Sequence, residues 1–272
     1  MRASAATRAR RTERADEAAR ERACRGVRGA KPLGVIKMSP PRLEIGLQGA
    51  LHVREERVST RHDPCRLMYV SDIHLRPKRS ENLARQVIRA VRESEPHVVL
   101  LGGDLVDESS ELDHLRDLVS VLRADAPVLA IGGNHDRSVG MNRVRDAVIS
   151  GGGDWIHETS VQITHGPRVI TVAGPNAVSA TEGDVRILCA HHPSIWRTSR
   201  AAGYDLVLAG HLHGCQMVAF EYRDRLFPGA LFYQHCFIRS RHGRARLVVS
   251  RGVSDLVPVR WRCPREVVLC HV

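Results

Sequence analysis

The chain lacks long apolar runs, paired cysteines and, almost entirely, lysine. No stretch approaches the ~20 apolar residues needed to cross a bilayer, and the N-terminus has no apolar signal core, so we expect neither a membrane span nor export. The seven cysteines include no CxxC pair, so the sequence contains no recognisable zinc knuckle and no disulfide framework. This favours reduced thiols in a cytosol. Only three of the 41 basic residues are lysine, and a coding bias toward arginine explains this better than selection for phosphate contacts.

The formal charge of +11 is concentrated at the N-terminus. Residues 1–38 hold eleven Lys and Arg against four Asp and Glu, a net charge of +7, which leaves +4 for the rest of the chain. That remainder is too weak to mark a phosphate-binding face, so we predict no specific nucleic-acid partner. Residues 1–38 are either a disordered basic arm, able to touch an anionic membrane peripherally, or an upstream extension foreign to the native protein. Residues 39–272 are predicted to form one large cytoplasmic domain.

From residue 65 onward, short apolar runs alternate with amphipathic segments. Runs at 66–70, 97–101 and 128–131 predict strands, and helical spacing predicts helices over 81–93, 111–123 and 141–150. This alternation predicts a parallel sheet with right-handed crossovers. After Trp155 short strands dominate, and two packed sheets flanked by helices would accommodate both halves. Residues 43–45 and 51–53 predict a hairpin at a sheet edge.

Five short motifs rich in aspartate and histidine lie in a fixed order, most of them directly after an apolar run. They are Ser71-Asp72-Ile73-His74, Gly103-Asp104-Leu105-Val106-Asp107, Gly133-Asn134-His135-Asp136, Ala190-His191-His192-Pro193 and Gly210-His211-Leu212-His213. Each one alone arises easily by chance, whereas the ordered set does not. Because open α/β sheets bind ligands where strands end, we expect these polar residues to meet at one edge of the fold.

The residue types in these motifs are those of a two-metal site. Alternate side chains along a strand share a face, so the Asp-x-His pair and the His-x-His pair are each predicted to approach one metal. Asp104 offers a carboxylate with two oxygens for a bridging position, beside glycines that let the backbone turn sharply. Asn134 adds a neutral oxygen. Mixed carboxylate, amide and imidazole ligands suit manganese, iron or zinc better than copper or calcium.

As an ordered set, the motifs resemble the calcineurin-like metallophosphoesterase superfamily, whose pattern runs D-x-H, G-D-x-x-D, G-N-H-[DE], H and G-H-x-H. The resemblance implies an α/β fold, a four-layer α/β/β/α sandwich of two mixed sheets, with a dinuclear metal site at the C-terminal ends of strands. It also implies which residues hold two divalent metal ions. The first metal would take Asp72, His74 and His213, Asp104 would bridge, and the second would take Asn134, His191 and His211.

The resemblance further implies catalytic roles for His135 and Asp136. His135 would face the substrate as phosphate binder or general acid, oriented by Asp136. Two divalent cations, with manganese the metal we expect first, would activate a bridging hydroxide for in-line attack on phosphorus. The implied function is metal-dependent hydrolysis of a phosphodiester or a pyrophosphate.

Several positions near the motifs allow more than one interpretation. The family's histidine precedes x-Pro, which selects His191 over His192 as the ligand. Asp107 either supports its loop or caps the helix that follows. Arg76 stands where the family tends to have glycine and is either a phosphate contact or a solvated side chain. Cys215 stands where the family usually has a second glycine after G-H-x-H-G.

Finer details resemble a bacterial branch that includes membrane-associated phosphodiesterases and nucleotide-lipid pyrophosphohydrolases. They are the GNHD ending, His191-x-Pro193 and Gly214-x-Gln216. The implied substrate is a small-molecule phosphoester or a nucleotide-lipid. Two alternatives stay open. One is a nuclease of the same superfamily, for which the short stretch after His213 leaves little room, and the other is a catalytically silent metal-binding scaffold, against which the intact ligand set argues.

Overall fold

Two six-stranded mixed sheets carry the fold. The computed structural model describes residues 36–37, 42–46, 49–59, 62–177 and 182–272. The predicted basic arm lies almost wholly outside the described residues, so its membrane contact stays a prediction. Ile36 and Lys37, which were assigned to that arm, pair with Tyr222 and Glu221 as a short strand.

The helices and strands are numbered here in chain order. The helices are α1 (Ser80–Ser94), α2 (Leu112–Asp125), α3 (Asn134–Val139), α4 (Met141–Ser150), α5 (Trp196–Ala201) and α6 (Gly229–Phe232). The strands are β1 (Ile36–Lys37), β2 (Leu43–Ile45), β3 (His52–Arg57), β4 (Arg66–Val70), β5 (Val98–Gly102), β6 (Val128–Ile131), β7 (Asp154–Trp155), β8 (Ser160–His165), β9 (Arg168–Ala173), β10 (Val185–Cys189), β11 (Leu206–Ala209), β12 (Val218–Tyr222), β13 (Arg225–Pro228), β14 (Arg239–His242), β15 (Ala245–Val249), β16 (Val259–Trp261) and β17 (Glu266–His271).

Each large sheet has a parallel centre. Sheet 1 has the order β3-β17-β4-β5-β6-β7, in which β4, β5, β6 and β7 are parallel and β17 is antiparallel to β4. Sheet 2 has the order β14-β15-β11-β10-β9-β8, in which the four inner strands are parallel and β14 and β8 are antiparallel to their neighbours. In both sheets, the parallel strands end at a common edge.

The side chains of the strands define four layers. Along β4, Met68 and Val70 pack with α1, α2 and α4 in one buried cluster, whereas Leu67 and Tyr69 face sheet 2 in another. This alternation is the period of two that a strand imposes. Trp196 of α5 packs on the outer face of sheet 2. The order of layers is therefore helix, sheet, sheet, helix, which confirms the predicted α/β fold with two mixed sheets.

The repeating part of the pattern was predicted well. The helices expected over 81–93, 111–123 and 141–150 lie within two residues of α1, α2 and α4. The hairpin over 43–45 and 51–53 was wrong, because β2 pairs with β16 whereas β3 pairs in parallel with β17. The partners of both strands come from the end of the chain, and a local pattern cannot indicate so distant a pairing.

Helix α3 and the short helix α6 were not predicted. Helix α3 has the sequence Asn-His-Asp-Arg-Ser-Val and begins inside the GNHD motif. Its six residues contain no apolar periodicity. The Asp136 carboxylate accepts the N–H of Gly133 at 2.8 Å, which satisfies a free donor at the start of the helix.

Cysteine pairing differs from the expectation that all thiols are reduced. Cys215 and Cys236 form a disulfide across a sequence separation of 21 residues, with a Cα–Cα distance of 6.6 Å. Because these two cysteines are not close in the sequence, their pairing depends on the fold and could not be predicted from a CxxC motif. The other described cysteines are free and buried. None of the helices within the described residues combines the length and the apolar character needed to cross a bilayer.

Candidate metal centre

The five motifs meet at the edge where the parallel strands of both sheets end. The first three follow β4, β5 and β6 of sheet 1, and the last two follow β10 and β11 of sheet 2. The two sheets therefore each contribute ligands to one site. This is the location expected for ligands in open α/β sheets.

The backbone at this edge is unusual. Five predicted ligands have left-handed φ values of 56°, 48°, 52°, 76° and 49°, and they are Asp72, His74, Asp104, His211 and His213. For residues other than glycine such a conformation costs about 1–2 kcal/mol each. Strained backbone of this kind clusters at functional sites.

The left-handed backbone differs from the expectation that alternation along a strand brings the ligand side chains together. Strands β4 and β11 end at Val70 and Ala209, so neither the Asp-x-His pair nor the His-x-His pair lies within a strand. Alternation along a strand therefore does not aim these side chains. The left-handed turns do, since they redirect the backbone at each ligand.

The first group of ligands consists of Asp72, His74 and His213, all buried. Nε2 of His74 lies 3.2 Å from Nε2 of His213, which in turn lies 3.7 Å from Oδ1 of Asp72. The opposite nitrogens are held from outside the group: Nδ1 of His74 lies 2.7 Å from Oδ1 of Asp107, and Nδ1 of His213 lies 2.9 Å from the carbonyl oxygen of Ser254. Such bonds select the tautomer whose Nε2 lone pair faces a metal.

The second group consists of Asp104, His191 and His211, with Asn134 beside them. Nε2 of His191 lies 3.1 Å from Oδ2 of Asp104, 3.1 Å from Oδ1 of Asn134 and 3.2 Å from Nδ1 of His211. Nδ1 of His191 is held by the carbonyl oxygen of Gly102 at 3.0 Å. The structure therefore places His191, rather than His192, within this group.

Asp104 lies between the two groups. Its Oδ2 is 3.1 Å from Nε2 of His191 and 3.8 Å from Nε2 of His74, while its Oδ1 accepts the backbone N–H of His135 at 2.9 Å. Gly133 lies so close that an added Cβ would fall 2.2 Å from Oδ1 of Asp104. Glycine is therefore required there for the backbone of one motif to approach the carboxylate of another.

The charge balance of the groups matches a cation site. Burial disfavours ionisation of Asp104, but its hydrogen bond to His191 and the nearby imidazoles outweigh that effect and lower its pKa. Burial also disfavours charging of His191, yet the carboxylates of Asp104 and Asp72 raise its pKa to about 9. Negative charge thus accumulates around the imidazoles, and a bound cation would replace the proton.

His135 is held by a different acid from the one expected. Its Nδ1 lies 2.9 Å from Oδ1 of Asp107, and its ring stands edge-on to that of His74 at 4.6 Å. Asp136 is fully buried and accepts the backbone N–H groups of Leu105 and Val106 at 2.9 and 3.1 Å. None of the hydrogen bonds among the described residues joins Asp136 to His135.

Asp107 is a connecting residue and not a helix cap. Its carboxylate contacts His74, His135 and Arg76, the last through the guanidinium Nε. Burial opposes its ionisation, but the bonds and charges of His74 and Arg76 lower the pKa of Asp107 to about 2. Arg76, for which a phosphate contact or a solvated position was open, instead forms an ion pair with Asp107.

A cavity of about 590 Å³ opens beside the second group of ligands. Its wall includes His192 of the fourth motif together with Arg137, His157 and Asn176, to which no motif pointed. Arg137 lies three residues after Asn134 in α3, so a correct helix prediction would have indicated it. Nδ1 of His157 accepts the N–H of Gly132 at 3.1 Å, which aligns the wall with the metal centre.

Several known proteins are similar to this chain. A family model described as calcineurin-like phosphoesterase matches residues 65–215. Phosphodiesterase YaeI of Escherichia coli is 26% identical over 77% of this chain and 82% of its own length. An uncharacterized metallophosphoesterase of Aquifex aeolicus is 28% identical over 76% of this chain and 84% of its own. The crystal structure of a dimetal phosphatase from Danio rerio aligns with 77% of this chain and 99% of its own, at 12% identity and a TM-score of 0.42.

Proposed function

The chain belongs to the calcineurin-like phosphoesterase family, and we propose that it hydrolyses phosphodiester or pyrophosphate bonds with two divalent metal ions. The observation that carries the proposal is the position of Asp104 between two groups of ligands. A carboxylate with one oxygen near both groups is what a two-metal site requires. Phosphoester hydrolysis with divalent metals is typical of the family.

The donor set fits manganese, iron or zinc. It combines three carboxylate or amide side chains with four imidazoles and includes no thiolate. Such a mixed set suits these three metals better than calcium or copper. Asp72, His74 and His213 would hold one ion, Asn134, His191 and His211 the other, and Asp104 both.

When bound, the two ions would supply Lewis-acid activation of water and neutralise charge on the phosphoryl group. The side chains around them then have separate tasks. His135 is one-third exposed and bonded through Nδ1 to Asp107, so its Nε2 is free to donate a proton to the leaving oxygen. Arg137 lines the cavity beside Asn134, where its guanidinium can hold a second anionic group of the substrate.

The cavity supports a substrate with a substituent on each side of phosphorus. It is lined partly by apolar side chains, among them Met141 and Ile195. A diester or a pyrophosphate diester places its second substituent there, whereas a monoester leaves that space to water. The name phosphodiesterase carried by the Escherichia coli relative supports the same class. A nucleotide-lipid is one member of this class.

Activity assays on reconstituted protein test the proposal. Metal-free protein reloaded with Mn²⁺, Fe²⁺ or Zn²⁺ should cleave bis-p-nitrophenyl phosphate and a nucleotide-lipid pyrophosphate faster than p-nitrophenyl phosphate. Asp104→Asn should abolish cleavage, and His242→Gln, at an exposed position, should not.

Three outcomes would contradict the proposal. A preference for the monoester would exclude the diester class. Folded, metal-loaded protein that cleaves none of these compounds would favour the silent scaffold. Cleavage restricted to DNA, with binding that weakens steeply as salt rises, would favour the nuclease.

A further inference from the structure

A second cluster of metal-binding side chains lies at the opposite edge of the sheets. It consists of Cys65, His97 and His165. Cys65 precedes β4, His97 precedes β5, and His165 is the last residue of β8. Since the proposed two-metal centre follows the C-terminal ends of β4 and β5, five-residue strands separate the sites by about 17 Å. None of the five motifs includes these three residues.

The ligand atoms of the cluster are already close together. One sulfur or nitrogen from each residue lies within 4.8 Å of the others. The rings of His97 and His165 have centroids 4.5 Å apart. A tetrahedral zinc ion with bonds of about 2.0–2.3 Å needs its ligands roughly 3.3–3.8 Å apart. Side-chain rotations that move each atom by less than 1 Å would therefore suffice.

The cluster contains a buried polar atom that lacks a hydrogen bond. Nε2 of His165 is buried and forms none. It lies 3.3 Å from Oδ2 of Asp63, an exposed carboxylate on the rim. That contact lacks hydrogen-bond geometry and leaves the buried nitrogen unsatisfied, which is costly unless another group binds it. The neighbouring carboxylate offers a fourth ligand.

We propose that Cys65, His97, His165 and Asp63 form a separate site for one divalent ion of the kind that binds thiolates. Zinc is the metal that fits these ligands best. A thiolate with two imidazoles and a carboxylate matches zinc coordination, and thiolate ligands distinguish this site from the all-nitrogen-and-oxygen centre at the other edge. The ion takes the place of the thiol proton of Cys65. It joins β4 and β5 of sheet 1 to β8 of sheet 2, so its role is to hold the two sheets together.

The surrounding contacts set the conditions for binding. Nδ1 of His97 accepts the backbone N–H of Arg66 at 2.9 Å, and a metal bond to His97 replaces that hydrogen bond or shifts the imidazole proton. A hydrogen bond to His97 is thereby exchanged for a stronger metal–nitrogen bond. The guanidinium groups of Arg66 and Arg168 donate to the carbonyl oxygens of Glu95 and Asp63. Burial raises the pKa of the Cys65 thiol to about 11, and the positive charge of these two groups offsets that rise only in part. The same charge opposes a dication, so we expect weaker binding than in a site without them.

Cobalt spectroscopy separates this site from the two-metal centre. Co²⁺ bound to a thiolate shows a near-ultraviolet charge-transfer band that oxygen and imidazole ligands do not produce. Titration of the full chain with Co²⁺ should raise this band to a plateau that corresponds to one thiolate-bound ion per chain, and added Zn²⁺ should remove it. Asp104→Asn, which disables the other centre, should leave the band unchanged.

Variants decide the assignment. Cys65→Ser should abolish the band, while Cys270→Ser, at a second buried cysteine of sheet 1, should keep it. If Cys65→Ser does not fold, His165→Asn at the partly exposed edge should weaken Co²⁺ binding at least tenfold, with His242→Gln as control. The absence of a band in the wild-type chain, a band that survives Cys65→Ser, or unchanged affinity in His165→Asn would each overturn the proposal.

Discussion

Oδ1 of Asp107 lies 2.7 Å from Nδ1 of His74. The bond turns the opposite nitrogen of His74 toward Asp104 and His213. The same carboxylate also meets His135. Asp107 therefore couples a proposed metal ligand to the proposed proton donor, a role that its place in the GDLVD motif did not reveal.

Asp107→Asn should lower metal affinity and turnover together. An amide oxygen is a weaker acceptor than a carboxylate, so the hydrogen bond that orients the His74 ring is weakened. Changes in residues that hold a ligand from outside the metal typically cost about 10- to 100-fold in affinity. Metal titrations would measure the loss, with Asp146→Asn, an exposed acid on α4, as the control. Unchanged affinity would show that His74 needs no such support.

Asp104→Asn should remove the metal dependence of stability. Ions bound at a hundredfold excess over their dissociation constant stabilise a protein by about 2.7 kcal/mol. The wild-type chain should therefore melt at a higher temperature with added Mn²⁺ than after chelation, whereas Asp104→Asn should show a much smaller difference. A variant that keeps the full metal-induced rise in Tm would exclude Asp104 from both ions.

His135→Gln should reduce kcat while the metal stays bound. General acid catalysis typically contributes about 10²- to 10⁴-fold. The metal content of the purified variant, measured beside its kcat, separates the two roles. Loss of metal from the variant would mean that His135 is a ligand, which its place beside His74 and Asp104 would also permit.

Asp136→Ala should destabilise the fold rather than act through His135. The substitution leaves the N–H groups of Leu105, Val106 and Gly133 without their acceptor. Buried donors left unpaired cost about 1–3 kcal/mol each, so we expect the free energy of unfolding to fall by roughly 3 kcal/mol or more. Urea unfolding beside Asp146→Ala would test this. A stable variant with a lowered kcat would instead restore the orienting role predicted from the motif.

Arg137→Ala should raise KM for diesters about tenfold with little change in kcat. Loss of a charged hydrogen bond has an effect of this order. Arg145→Ala, which removes an arginine from α4 outside the cavity, is the matched control. An equal KM in both variants would place the second anionic group elsewhere.

The sequence by itself determined the family, the helices and strands with regular periodicity, and the set of side chains that meet at the candidate site. Apolar periodicity predicts α1, α2 and α4 because each of these helices buries one face, which requires apolar residues at helical spacing within a single segment. The ordered motifs predicted Asp72, Asp104 and His191 in one site, and the structure brings them together.

Only the tertiary structure decided which groups hold these side chains and which strands pair over long distances. Asp107 meets His135 in place of Asp136, β3 pairs with β17, and Cys215 reaches Cys236. Each of these contacts joins segments that are separated along the sequence and approach one another only once the chain has folded. A local pattern records what a segment buries, but the identity of its distant partner depends on the whole fold.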